Sequence, residues 1–301
     1  DHIPLPGALL GKRSNPGQAP RRGFFSRLCS MISRAPTVAY GYVRGMLSLL
    51  VAGYDSCIRM NPALPDRKPF LKYSGGHTFT RMTPVPLTLI KQVRKQHGGT
   101  VNDVIMSCLA GAIRRYNAQD LNDPLCKADT LPLDVKCTML MALPRAVDPS
   151  NPAVSLCNRI LTPILKLPVG EKEAVSRLNK TVQATSDLKS PAFLAGVIAL
   201  TSLCTFVPPT SIAQKLSSQT LSKLTCNVTS LPMATVPVRL FDVEVKELQV
   251  LFVLPVPQIA LMTYNGMLYW NVICDPQRVP EPRALGRHFL AELHELAASV
   301  G

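Results

Sequence analysis

Gly98–Tyr116 reads GGTVNDVIMSCLAGAIRRY, and this stretch decides the fold. Gly98 and Gly99 interrupt whatever precedes them. Thr100 offers a capping hydroxyl, and Asp103, three residues on, can reach back to the cap and meet the positive end of a helix. Val101, Val104, Ile105, Cys108, Leu109, Ala112, Ile113 and Tyr116 then recur at i, i+3, i+4 and i+7, which predicts a helix with one buried face. Arg114 and Arg115 close it with cations at its negative end. Asn102 is the surplus residue, because a cap needs only one of Asn102 and Asp103. The plain reading of the whole stretch is a well-started core helix.

Working outward, His77–Met82 predicts a short strand and Pro86–Gln96 a helix leading into the central one. Leu131–Leu143 alternates around Asp134, Lys136 and Thr138 as a strand does, and Ile160–Val169, with Pro163 as an edge proline, is a second candidate. Glu171–Lys189 predicts a helix with Ala174, Val175, Leu178 and Val182 on one face. Ala192–Val207 holds 16 residues without a charge and ends at Pro208-Pro209. That is short of the roughly 20 apolar residues a membrane span needs, so a buried or interfacial helix is expected. From Leu224 the pattern turns to strands: LTCNVTS, then VRLFDVEVKEL, then IALMTY and MLYWNVI. Asn265-Gly266 tolerates the positive φ of a type I′ turn and predicts that Ile259–Tyr264 pairs antiparallel with Met267–Ile273. Pro280–Val300 closes the chain as a helix striped by Leu285, Phe289, Leu293, Leu296 and Val300. The order of elements is mixed α/β with an antiparallel component, and no internal repeat is visible.

The chain has 301 residues, 47% of them hydrophobic, enough for a substantial core. Its net charge of +14 is concentrated at the front: residues 1–100 carry 15 lysines and arginines against 3 acids, whereas the remainder carries 18 against 16. An anionic membrane surface, nucleic acid, a phosphorylated ligand and a simple solvated linker all suit such a segment. Residues 1–23 show no hydrophobic period and read as a basic linker. Residues 24–60 interleave Arg27, Arg34, Arg44 and Arg59 with long aliphatic and aromatic side chains, as a helix does that lies in a membrane interface or packs on a neighbouring domain. Residues 61–76, with Pro62, Pro65, Pro69 and Gly75-Gly76, connect into the main domain. The chain opens at Asp1 without methionine or a signal segment, which reads as a fragment or a processed product.

Nine cysteines form no Cys-x-x-Cys pair and no zinc spacing, so they read as reduced core thiols on a cytosolic side. Asn179-Lys-Thr181 and Asn227-Val-Thr229 match the glycosylation sequon, a weak three-residue pattern. The five histidines, His2, His77, His97, His288 and His294, sit in no catalytic or metal motif, and a solvated or structural role is expected for each. There is no nucleophile elbow, phosphate loop or dinucleotide fingerprint. No catalytic residue and no metal ligand can be named.

Gly-Gly-Thr-Val-Asn-Asp-Val, followed by a small-residue helix ending Arg-Arg-Tyr, closely resembles the Asn-Asp motif of the wax ester synthase/diacylglycerol acyltransferase family. Asn158-Arg159 stands where that family often has Gly-Asn, and Cys226-Asn227-Val228 resembles its Ser-Asn-Val-Pro-Gly-Pro segment. Cys157 replaces the glycine, Cys226 the serine, and Thr229-Ser230 stand in place of proline and glycine, which puts a turn at Asn227 in doubt. The family's HHxxxDG motif, whose second histidine is thought to act as general base, is missing. The resemblance is therefore to the C-terminal half: residues 76–301 match its O-acyltransferase C-terminal domain, and residues 1–75 loosely match the variable basic, proline-rich crossover before it.

The resemblance implies an α/β fold with a mixed, partly antiparallel sheet and packed helices, one half of the two-domain chloramphenicol-acetyltransferase-like architecture. It implies esterification of a long-chain alcohol or diacylglycerol by acyl-CoA, a co-substrate with no further cofactor. Asn102, Asp103, Asn158, Arg159 and Asn227 would be supporting or substrate-binding residues for a base in the N-terminal half of the same enzyme. The partners would be acyl-CoA, the alcohol or diacylglycerol, and a membrane or lipid-droplet surface on its cytosolic side, with no nucleic acid. The alternative is a truncated module that binds acyl-CoA, lipid or a partner chain without turnover.

Overall fold

The computed structural model describes residues 24–48, 74–121, 135–142, 150, 160–205, 220–221, 223–254 and 256–299. The basic linker expected over 1–23, and Asn158 and Arg159, lie outside them. The chain divides into two compact units, Asp1–Tyr40 and Gly41–Gly301. What is described of the first is the opening of helix α1 (Phe24–Leu47), which carries Pro36 within it and exposes Val38 and Tyr40.

In the second unit β1 (Thr78–Arg81), β2 (Val85–Pro86), α2 (Leu87–His97) and α3 (Val101–Arg115) follow one another closely. Gly98 and Gly99 both take positive φ, 84° and 81°, so the double glycine lets the chain reverse between the two helices. A π-helical turn over Tyr116–Asp120 ends α3. Next come β3 (Val135–Met139), β4 (Met141–Ala142), β5 (Ile160–Leu161), β6 (Ile164–Leu167), α4 (Ala174–Leu188) and α5 (Pro191–Thr205). The chain finishes with β7 (Cys226–Pro232), β8 (Arg239–Leu240), β9 (Val243–Glu244), β10 (Gln258–Tyr264), β11 (Met267–Cys274) and α6 (Pro282–Ala298).

The main sheet has the order β1-β11-β10-β7-β3-β6, with β2 also on β11. β7 runs parallel to both β10 and β3, and the flanking pairs are antiparallel, so the sheet is mixed as expected. The Asn265-Gly266 turn takes φ of 44° and 76°, and it sets the register Tyr264↔Met267 through Gln258↔Ile273. Pro163 lies between β5 and the edge strand β6, where its missing N–H costs no ladder bond and its carbonyl accepts from Met139 N at 3.0 Å.

One strand reading is overturned. VRLFDVEVKEL is not one strand but a hairpin of two-residue strands, β8 and β9, because Phe241 and Asp242 take φ of 48° and 63° and reverse the chain. The apolar alternation in this segment was genuine, but the turn lacks the glycine or asparagine that would announce it. The sequon at Asn227 is also excluded as a surface site, since Asn227 is buried within β7.

Alternate residues of the strands enter a core against the helices: Val135 and Cys137 of β3, Cys226 and Val228 of β7, Ile259 and Leu261 of β10, and Leu268, Trp270 and Val272 of β11. The Phe289 ring of α6 tilts against Trp270 at 4.9 Å between centroids. Burial of such aromatics supplies much of the driving force for docking α6 on the sheet. The helices are joined by charge as well. Glu292 of α6 is buried against Gly111 of α3, where a Cβ would fall 2.2 Å from its carboxyl carbon. It pairs with the equally buried Arg177 of α4 and with Arg115 of α3. Arg177 also donates to the carbonyls of Glu171 and Lys172 at 2.6 and 2.9 Å.

Removing one member of a buried ion pair strands the other charge, at about 3–5 kcal/mol. Glu292→Ala should lower the unfolding free energy by about that amount. Gly111→Ala should also destabilise the chain, because the pinned carboxylate cannot retreat. Urea unfolding of both variants beside the parent tests this, and an unchanged midpoint for Glu292→Ala would show that the pair does not hold the helices.

Candidate functional site

The two residues at the start of α3 have separate tasks. Asp103 is buried and closes a capping box: Thr100 N donates to its Oδ2 at 2.8 Å, and Asp103 N donates to Thr100 Oγ1 at 3.3 Å. Its other oxygen accepts from Thr185 Oγ1 at 2.6 Å and lies 3.5 Å from Lys189 Nζ, so Asp103 ties α3 to α4. Asn102 is exposed, and its Oδ1 accepts from Ser230 Oγ of β7 at 3.0 Å. Asp103 thus satisfies the helix start, and Asn102 faces outward above the neighbouring strand.

Asn227 belongs to a different place. Cys226 and Val228 enter the core with the helices, so Ser230 shares their side of β7 while Asn227 and Thr229 face the other. Asn227 Oδ1 accepts from Thr138 Oγ1 of β3, and its amide donates to Gln258 Oε1 of β10. Gln258 Nε2 donates in turn to Thr229 Oγ1 at 3.2 Å and to the Ile259 carbonyl at 3.1 Å. All four side chains are buried, and they form a neutral polar row across β3, β7 and β10. The structure therefore separates Asn227 from Asn102 by the thickness of the sheet. The sequence gives Ser230, Thr138 and Gln258 no bonding role: Thr138 and Ser230 are noted there only for strand alternation and for a departure from the family's pattern. Only the placing of Gln258 at the head of an otherwise apolar strand hinted at a buried partner.

Amides and hydroxyls can position a substrate or a loop, but they do not abstract protons at neutral pH. Burial pushes the Cys274 thiol up to about 12 and raises Cys108 further, Glu292 adding to burial for Cys108, so neither is a thiolate nucleophile. Cys137 and Cys226 are buried. His97 Nε2 lies 3.1 Å from the Leu296 carbonyl, and His288 Nε2 lies 2.6 Å from Asp120 Oδ2; both side chains link α6 to its neighbours. Among the described residues no group of histidine, cysteine and acid side chains could hold a metal ion.

Residues 156–297 match the family model described as WS/DGAT C-terminal domain. Among solved structures, the chain is similar to a wax ester synthase/diacylglycerol acyltransferase from Marinobacter aquaeolei VT8, at 18% identity and a TM-score of 0.55, over 87% of this chain and 55% of that one. It also aligns with a condensation domain of the enacyloxin polyketide synthase, at 11% identity and 0.48, over 96% of this chain and 54% of that one. The X-domain from teicoplanin biosynthesis aligns at 13% and 0.48, over 95% of this chain and 63% of that one. The chain thus spans a little over half the length of these structures. No curated protein matches it.

The division of labour at the start of α3 is testable in the chain itself. Losing a capping side chain costs about 1 kcal/mol and losing a buried hydrogen bond a similar amount. Asp103→Ala should therefore lower stability by about 2 kcal/mol, while Asn102→Ala should stay within about 0.5 kcal/mol of the parent. Thermal unfolding monitored by circular dichroism distinguishes them, and equal losses would refute the separation.

Proposed function

We propose, from the match of residues 156–297 to the WS/DGAT C-terminal domain model, that the chain is the C-terminal half of an acyl-CoA-dependent O-acyltransferase that esterifies a long-chain alcohol or diacylglycerol. The general base on the acceptor hydroxyl comes in this reading from a histidine in a companion half. This half supplies support. The observation that carries the reading is Asn102: it stands exposed at the start of α3, held by Ser230, in a helix whose cap and packing depend on its neighbour.

An amide there can hydrogen-bond a loop or a substrate arm of the companion half, and the helix end favours negative charge such as the phosphates of coenzyme A. Asp103 acts through the backbone it fixes, and so it is a positioning residue. Asn227 keeps the parallel strands in register. Asn158 and Arg159 are retained as substrate-binding candidates on the resemblance alone.

The second reading, a module that binds acyl-CoA, lipid or a partner chain without turnover, draws on the same site. The amides and hydroxyls at Asn102 and along the polar row can bind but cannot replace a base. The two readings part on whether a companion half brings HHxxxDG.

Membrane attachment is assigned to α1. Val38, Tyr40, Val43 and Leu47 are exposed along it, with Arg44 among them, the composition of a helix that rests on a headgroup layer. No helix among the described residues is long and apolar enough to cross a bilayer.

Two measurements test this reading. In the complete enzyme, Asn102→Ala should cut ester formation from acyl-CoA at least tenfold with an unchanged yield of folded protein, and undiminished turnover would remove Asn102 from the site. Separately, the chain should float with liposomes containing anionic lipid and should sink when residues 24–40 are deleted. Flotation that survives the deletion would move the contact elsewhere.

A further inference from the structure

The chain carries no acid between Asp66 and Asp103, a stretch that holds seven lysines and arginines. Three of them lie on α2. Ile90 and Val93 turn into the core, and Lys91, Arg94 and Lys95 stand exposed, at spacings of three and four residues that stack them on one face of the helix. Many other cations of this unit are matched. Arg81 pairs with Glu247, Arg115 with Glu292 and Glu295, Lys180 with Glu171, and Lys246, on the crossover that joins β7 to β10, with Glu244, whereas Lys91, Arg94 and Lys95 pair with no acid among the described residues.

Ordinary helix chemistry does not account for the stripe. Cations in the last turn favour the negative end of a helix, and Arg94 and Lys95 serve there, but Lys91 sits before that turn. Like charges three and four residues apart also repel, so the stripe takes back part of what the last-turn cations give. The neighbouring helix adds to it. α2 packs on α6, with His97 Nε2 3.1 Å from the Leu296 carbonyl, and Arg283 and Arg287 stand exposed one turn apart on α6. Asp120 lies 3.7 Å from Arg287, and Arg115 holds the exposed Glu295, which leaves Glu281 at the start of α6 to oppose the basic surface.

The composition of this surface selects its partner. None of the large hydrophobic side chains that the described residues expose lies on α2 or α6, and a protein interface is built round an apolar or aromatic centre. Neither helix exposes an aromatic ring on which a nucleic-acid base could stack. A layer of anionic lipid headgroups asks only for charge, and each lysine or arginine within a Debye length of it adds to the attraction. The end of α1 belongs to the same compact unit and exposes Tyr42, Val43 and Leu47, the apolar complement of such a contact.

We propose that the α2 stripe of Lys91, Arg94 and Lys95, helped by Arg283 and Arg287 of α6, docks this unit on a membrane surface of anionic lipid. The stripe supplies charge and α1 supplies apolar contact. One weak anchor holds a protein to a bilayer only transiently, so stable attachment requires both. The proposal adds a second contact to the one assigned to α1, and it makes no use of acyl transfer.

The test uses the chain as it stands, with vesicles of phosphatidylcholine alone and of phosphatidylcholine with phosphatidylserine at about a third of the lipid. In co-sedimentation the chain should bind the anionic vesicles more tightly than the neutral ones by about tenfold or more, and the preference should fall as salt is raised. Lys91→Gln/Arg94→Gln/Lys95→Gln should lose most of that preference. Its unfolding midpoint should stay close to the parent's, because relief of the repulsion offsets the lost support at the helix end. Arg239→Gln/Lys246→Gln, which removes two cations from the crossover, should keep the preference. Equal binding to both vesicles, a full preference in the α2 variant, or an equal loss in the crossover variant would overturn the proposal. So would stripe-dependent binding of duplex DNA without stripe-dependent binding of vesicles. Anionic binding that needs residues 24–40 but not the stripe keeps α1 and removes α2. Ester formation is assayed separately, and its absence would remove the acyltransferase while leaving the docking surface in place.

Discussion

The carboxylate of Glu292 is the point on which the helical layer depends. Two arginines from two other helices converge on it, and one of them, Arg177, is itself buried and anchored to the two carbonyls just before α4. Desolvating these charges is expensive, and a well-packed apolar cluster of the same volume would hold the helices about as well. The pair achieves something else. An apolar contact tolerates a helix sliding by a turn, whereas a guanidinium that must meet a carboxylate and two carbonyls together accepts one register. Gly111 enforces the same register from α3, because only a residue without a side chain lets the carboxylate lie against that helix. The start of α3, where Asp103 bonds to Thr185 of α4, inherits its position from this arrangement.

The sheet beneath is asymmetric, and its two faces solve different problems. The helical face is apolar, as its central strands require. The opposite face is crossed by buried polar side chains, which bond to each other between strands or to the backbone of the crossover. That pattern follows from topology. A parallel β7–β10 pair with no intervening helix needs the chain to run over a sheet face in an irregular conformation, and irregular backbone demands hydrogen-bond partners from outside itself. Tyr264, Tyr269 and Asn271 supply them. The same residues therefore stabilise the crossover and determine which of its side chains face outward.

What could be read in the sequence was what is encoded locally. The α3 capping box lies within four residues, and the β10–β11 turn announces itself through Asn265-Gly266, so both were legible with their registers. The helices over 87–97, 174–188 and 282–298 followed from apolar periodicity, within a few residues at their ends. The polar row was not legible. Asn227 finds Thr138 and Gln258 at separations of 89 and 31 residues, and nothing near any of them reports the others. The pairing of Arg177 with Glu292, 115 residues apart, was not legible for the same reason. The β8–β9 hairpin was missed on different grounds: its turn is built from Phe241 and Asp242, whose strained backbone no propensity predicts.

Helix α5 shows how an almost uniformly apolar segment can be accommodated without crossing a membrane. Its hydrophobicity has no strong side, so it cannot simply lay one face on the core as α4 does. It meets the last turns of α1 at backbone distance instead: a Cβ on Gly45 would fall 2.1 Å from the Phe193 carbonyl oxygen, and one on Gly196 would fall equally close to the Tyr42 carbonyl oxygen. Each helix offers a glycine where the other's backbone arrives, the small-residue approach that packs helices when apolar surface alone gives no direction. Arg44 completes the contact, its guanidinium 5.8 Å from the Phe193 ring centre and 3.5 Å from Asp187. Phe193, Val197 and Leu200 of α5 are buried, whereas Ile198 is exposed. The two helices are fixed to each other by main-chain contact, and a change at either glycine would shift both together.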